Sequence, residues 1–230
     1  AKTLFPYTTL FRSLGAEYLA ERIRSHLPAK RVLALIQGED GGVVPELRGL
    51  HAWLAVVADE SVRSTLIAHD PLGLVLHGDV LNFRPTEKVN LLQALQQEAE
   101  RYADFRQQNW ASRPFGALAT PDMQAHFKER LQSPDRSNTH QAVLDCVLDA
   151  MEHGQPMPAL ADELERIVGD TSYWPALRRT AVNALCKIAT NRKDWSAALR
   201  ILDDLQQGKI EDIDHDLQRS EERRVGKECL

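Results

Sequence analysis

The feature that most constrains this chain is the spacing of its apolar residues, which recur three and four positions apart along almost its whole length. Leu47, Leu50, Leu54 and Val57 form one such row, and Val89, Leu92, Leu95, Ala99, Tyr102 and Phe105 a second. Leu177, Ala181, Ala184, Leu185 and Ile188 form a third. That period places each row on one face of an α-helix. Alternating apolar and polar runs bounded by turn residues, the mark of half-buried strands, are absent. The expected class is all-α.

Breakers and caps divide the pattern into modest helices. Residues 14–26 read as a helix closed by Pro28. Residues 31–37 fit a helix or a strand, with helix favoured by context. Gly38 to Gly42 is a turn, and Pro45 suits the first turn of a helix over 45–58. Asp59 is placed to cap 60–68, and Pro71 starts 71–77. Thr86 is placed to open a long helix reaching about Trp110, followed by a loop over 112–120. Helices over 121–131, 140–152, 159–168 and 174–190 follow, and Asp194 caps 195–207, which Gly208 stops. Each helix pair is too small to bury its apolar face alone, so neighbours must stack, as in a right-handed helical array or solenoid.

The two ends obey a different rule. Residues 3–13 (TLFPYTTLFRS) and 219–229 (RSEERRVGKEC) are encoded by one DNA string read in opposite directions. Thr3 pairs with Cys229, Pro6 with Gly226, Tyr7 with Val225 and Ser13 with Arg219. That string resembles a common Illumina sequencing adapter. The resemblance implies that 1–13 and 219–230 are adapter-derived, unstructured or artefactual, and outside any domain. The aromatic residues of the first and the basic cluster of the second then carry no selected role.

Without these ends, which hold six cationic and three anionic side chains, the formal charge moves from −5 to −8. An acidic interior argues against nonspecific nucleic-acid binding, whose affinity comes from neutralising phosphates. No apolar run is long enough to span a bilayer. Cys146 and Cys186 lie far apart within helical apolar patterns, as buried thiols of a reducing, cytoplasmic compartment would.

The string Ala176-Leu177-Arg178-Arg179-x-Ala181-Val182-x-Ala184-Leu185, followed by a second helix, resembles a HEAT-type pair. Small residues stand where such helices approach closely. The stretch from Leu14 to about Gln97, with the runs LGAEYLAERI, GEDGGVVPELRGLHAWLA and LIAHDPLGLVLHGD, resembles the helical region downstream of the nucleotide-binding module in bacterial NACHT-type STAND NTPases. There, a phrase like H-R-x-x-x-E-F-L-A-A precedes a helical array. Here only Gly15-Ala16-Glu17-Tyr18-Leu19-Ala20 corresponds to its tail. The resemblance implies a switch ATPase whose array senses a ligand or partner, with ATP and Mg²⁺ held by the parent protein. It divides the chain into a post-NTPase helical region (14–112), a loop and short helix (113–137) and HEAT-like repeats (138–218). No G-x-x-x-x-G-K-[ST] loop exists, so no cofactor is expected in this chain. The expected partner is a protein or the nucleotide-binding module itself.

Residues that might carry chemistry have plainer readings. Gly38-Glu39-Asp40-Gly41-Gly42 carries carboxylates that repel phosphate, so it reads as a turn. His69, Asp70, His77 and Asp79, the set a small helical hydrolase or metal site would use, read as helix-end residues. His140, Asp145 and Cys146 are the set a Cys-His nucleophile would use, but His140 and Cys146 point about 120° apart on one helix, and Cys146 reads as a packed thiol. Arg178, Arg179, Arg192, Lys193 and Trp195 are the expected partner contacts, set against a plain solvated face for the basic pairs. The remaining tryptophans, Trp53, Trp110 and Trp174, read as helix-junction anchors.

Overall fold

Helix boundaries in this chain are set by residues whose backbone chemistry forbids continuation. A computed structural model describes residues 5–39, 41–106 and 111–210, with side chains from Leu10 onward except Leu202. All regular structure among them is helical, apart from an isolated antiparallel bridge between Gln37 and Val43. No described helix is long and apolar enough to cross a membrane. The described chain forms two compact units that meet at Gln97/Glu98. This break lies ahead of the division expected after residue 112, because the segment beyond Glu98 packs on the later helices.

The first unit contains α1 (Phe5–Ser25), α2 (Ala29–Ile36), α3 (Arg48–Val57), α4 (Glu60–His69), α5 (Pro71–His77) and most of α6 (Pro85–Arg101). The ambiguous stretch around residue 33 is helical, with Val32, Leu33 and Ile36 inward. Helix α3 is the hub and packs against α1, α4 and α5. Ala52, Leu54 and Ala55 on α3, Ala16 and Ala20 on α1, and Leu74 on α5 are all buried. Small residues let these axes approach closely.

Residues 5–13, expected to be unstructured, are instead the first turns of α1. Once residues 14–25 dock on α3, each residue added ahead of them gains a helical hydrogen bond at no further nucleation cost. Pro6 sits in the first turn, where its missing N–H is harmless. Packing also reaches this segment: a side chain on Gly49 of α3 would collide with Arg12, 2.6 Å from its Nε. Segment 219–230 and Trp110 lie outside the described residues.

The second unit contains α7 (Gln124–Gln132), α8 (Asn138–His153), α9 (Ala161–Gly169), α10 (Pro175–Arg192) and α11 (Ser196–Gln206). Helix α6 ends at Arg101, not near Trp110 as its apolar row predicts. Arg106, drawn into ion pairs with α8, lies at the end of turns over 103–106 that redirect the chain. The expected loop over 112–120 is a 3-10 turn, Arg113–Leu118, that packs on α8 and fully buries Phe115 and Leu118. Burying each such side chain contributes about 1.5–3 kcal/mol. The turn sits close to α8 because both contact residues are glycines: a Cβ on Gly154 would lie 2.3 Å from the carbonyl oxygen of Gly116.

Caps follow the sequence more closely here. Ser137 Oγ accepts from His140 N at 3.2 Å to start α8, and Asp194 Oδ1 accepts from Ser196 N at 3.1 Å before α11. Asp70 Oδ1 accepts from Gly73 N at 2.9 Å to start α5. Asp59 occupies the expected position before α4, but its side chain makes no capping bond. The inward row of α10, Leu177 to Ile188, is buried as its spacing predicts.

Candidate binding groove

Helix α10 has two faces because its sequence gives it two stripes. Leu177, Ala181, Ala184, Leu185 and Ile188 turn into the core. Asn183, Lys187 and Asn191 stand four residues apart, so they form a polar row on another face. That row lines a groove of about 450 Å³. The last turn of α8 contributes Glu152 and His153 to the groove, and Pro156 continues from the loop beyond it. Trp195, at the entry to α11, is half-buried in it. The volume falls within the range of sites that enclose ligands, about 300–1,000 Å³.

Two supports fix these side chains. His153 Nε2 lies 2.8 Å from Ser112 Oγ, which ties the end of α8 to the segment before the 113–118 turn. Thr190 Oγ1 donates to the Cys186 carbonyl at 2.9 Å and lines the groove beside Asn191. Burial lowers the Lys187 ammonium's affinity for its proton, and the Glu152 carboxylate partly restores it. A short-of-water ammonium facing a groove is a strong attractor for an anionic group.

The residues expected to contact a partner are distributed differently. Arg178 is buried, 2% exposed, and its Nε donates to the Val168 carbonyl at 2.8 Å. It ties the end of α9 to the start of α10, so it is not a surface contact as expected. Arg179 is exposed one position later, while Arg192 and Lys193 are exposed at the far end of α10. Thirteen residues of helix separate Arg179 from Arg192, about 20 Å, so the two basic pairs do not converge. Trp195 is the one residue of the five that lines the groove. The row Asn183–Lys187–Asn191 was legible from its spacing, but polar rows usually mark solvated faces, and nothing in the sequence shows the opposite wall.

The remaining candidate chemistry is spoken for by structure. Arg48 grips Asp70 with both arms, Nε to Oδ2 and Nη2 to Oδ1 at 2.7 Å each. Burial raises the Asp70 pKa, but these bonds and the Gly73 N–H outweigh it and hold the carboxyl below its ordinary value. His69 bonds Gln37 Nε2 at 3.0 Å, and Asp79 accepts from Asn82 at 2.8 Å. His69 and His77 do end α4 and α5. No group of three or more His, Cys, Asp or Glu among the described residues is arranged to hold a metal ion. Gly38 and Gly41 close a hydrogen-bonded turn, with Gly41 at φ +79°; Asp40 lies outside the described residues.

Cys146 is fully buried and donates to the Ala142 carbonyl, and burial pushes its thiol up to about 12. Cys186 is also a buried free thiol. Around Cys146 lies a cluster in which Asp145 meets two residues that the sequence reading did not single out, Arg106 and Asp149. Arg106 pairs with Asp145 and, at 2.6 Å, with Asp149, and its guanidinium lies 4.5 Å from the centre of the Phe115 ring. The signal was faint: one arginine continuing the row that ends at Phe105. His51 was also missed. It sits in the apolar face of α3, 1% exposed, with neither ring nitrogen hydrogen-bonded.

Comparison with protein-family models, with curated proteins and with solved structures gave no match to this chain.

Proposed function

We propose that this chain is a non-catalytic helical sensor or protein-interaction arm, built of HEAT-like helix pairs and belonging to a STAND-type NTPase. The observation that carries the reading is the packing order of α8 to α11. Helix α10 packs on α8, and α11 packs on α9, while α10 also contacts both α9 and α11. First helices lie against first helices and second against second, the order expected of stacked helix pairs. The phrase between Gly15 and Ala20 and the Ala-Leu-Arg-Arg string of α10 support the family. The groove beside α10 gives such an arm a recognition surface, and the buried free thiols fit a cytoplasmic setting.

In this reading ATP and Mg²⁺ belong to the parent protein, and the ends of the chain derive from adapter DNA. Purified chain incubated with Mg·ATP is expected to release no phosphate above buffer. Turnover that survives repurification would overturn the non-catalytic assignment. Sequencing the gene across Ser13/Leu14 tests the family. A P-loop coding region upstream of Leu14 is the expected result, and its absence would leave a HEAT-like scaffold without the NTPase.

A further inference from the structure

Three polar groups of the groove form a row along α10, beside Thr190 and opposite the α8 residues Glu152 and His153. Asn183, Lys187 and Asn191 follow one another at steps of four residues along α10, about 6 Å each. An extended peptide advances about 6.6 Å for every two residues. The row therefore keeps pace with alternate peptide units of a chain lying along the helix. A carboxamide offers a donor and an acceptor together, which suits the N–H and C=O of a peptide unit. Asparagines occupy both ends of the row, and between them stands an ammonium, which only donates.

We propose that the groove flanked by α8, α10 and the start of α11 binds an extended peptide segment carrying one side-chain carboxylate, with an apolar residue a few positions away. Asn183 and Asn191 hold the main chain, and Lys187 takes the carboxylate. Burial of the Lys187 stem strengthens that pairing, since the ammonium has lost part of its water. Glu152, contributed to the groove by α8, disfavours a second carboxylate. Trp195, at the entry to α11 beyond the left-handed Lys193, presents a half-buried ring to the apolar side chain. The inference rests on the reading of this chain as an interaction arm and specifies what that arm recognises.

The test uses the full chain and fluorescein-labelled synthetic heptapeptides with a central Glu, Gln or Lys and a nearby Leu, read by fluorescence anisotropy. The Glu peptide is expected to bind about tenfold tighter than the Lys peptide. Lys187→Met is expected to erase the preference for Glu over Gln. Asn191→Leu, at an exposed position that leaves the core intact, is expected to weaken all three peptides together. Trp195→Ala is expected to weaken them too, provided its circular dichroism matches the parent chain; otherwise Asn191→Leu alone is decisive. A Glu preference that persists in Lys187→Met overturns the proposal, as do affinities untouched by Asn191→Leu. Displacement of the peptide by equimolar free glutamate would show a small-anion site and overturn it as well. If no peptide binds while the chain also fails to hydrolyse ATP, the groove assignment falls and the arm stands. If peptides bind and ATP is hydrolysed, the reverse holds.

Discussion

In the first unit Asp70 meets one guanidinium, that of Arg48; in the second, Arg106 meets two carboxylates, Asp145 and Asp149. The first arrangement is balanced and partly wet, with the Arg48 side chain 29% exposed, and the Asp70 carboxyl is held below its ordinary value. The second is carboxylate-rich and dry around the 6% exposed Arg106. Burial there pushes Asp145 up to about 6 against the pull of Arg106, with Asp149 adding to the rise. Both clusters pin helices, yet one stabilises charge and the other confines it. A buried pair is costly to break but adds little over an apolar replacement, whereas a half-exposed pair is cheap either way.

The largest effect should come from breaking the drier cluster. Arg106→Leu leaves two carboxylates in the core without their cation and is expected to cost about 3–5 kcal/mol, measured by urea unfolding. Replacing Arg106, Asp145 and Asp149 together with apolar residues of similar size should recover most of that loss. A triple variant as unstable as the single one would show that the ions do more than satisfy one another.

Acid should then act in opposite directions at His51 and at Asp145. His51 is buried and its pKa is depressed from 6.5 to about 4, chiefly by burial. The unfolded chain therefore binds the proton more readily, and the first unit loses stability as pH falls from 6.5 toward 4, by on the order of 3 kcal/mol. Asp145 titrates near 6 instead of 3.8, so there the folded state binds the proton more readily. The second unit gains stability from this group across nearly the same window. Hydrogen exchange on the intact chain at pH 4.5 and 7, corrected for intrinsic rates, reads α3 against α8. Parallel changes in the two helices would refute the contrast.

Smaller effects sharpen it. Asp70→Ala removes the Arg48 pair and the cap of α5 together, for about 2 kcal/mol in thermal unfolding. Asp70→Asn keeps an acceptor for Gly73 N and should cost less than half of that. Asp145→Asn should shift stability at neutral pH by about 1 kcal/mol or less, since Asp149 still pairs Arg106. Its signature is a flattened acid response in α8 with α3 unchanged.

Much of the helical layout was legible because its signals are local. The apolar row of α10, the Asp70 and Asp194 positions at helix starts, and the Gly208 stop at φ +68° all act within one turn of chain. The groove was half legible. Trp195 was singled out and the Asn183–Lys187–Asn191 spacing was present, but Arg178 was misplaced at the surface. Its burial depends on where Val168 at the end of α9 arrives, which its own neighbours do not reveal. The early end of α6 had the same origin: apolar spacing continues to Phe105, and a distant pair of aspartates overrides it.

The sequence by itself determined the all-helical class, the places where most helices start and stop, and which face of α10 turns inward. Backbone capping and the 3.6-residue period suffice for these, since their partners lie within a few residues. Only tertiary structure decided that Gly116 and Gly154 bring the 113–118 turn onto α8. It likewise decided that His51 loses its water, that Arg106 faces two carboxylates, and that Lys187 looks across a groove at Glu152. Burial and charge pairing depend on residues tens of positions away, and their strength depends on how much solvent that distant packing excludes.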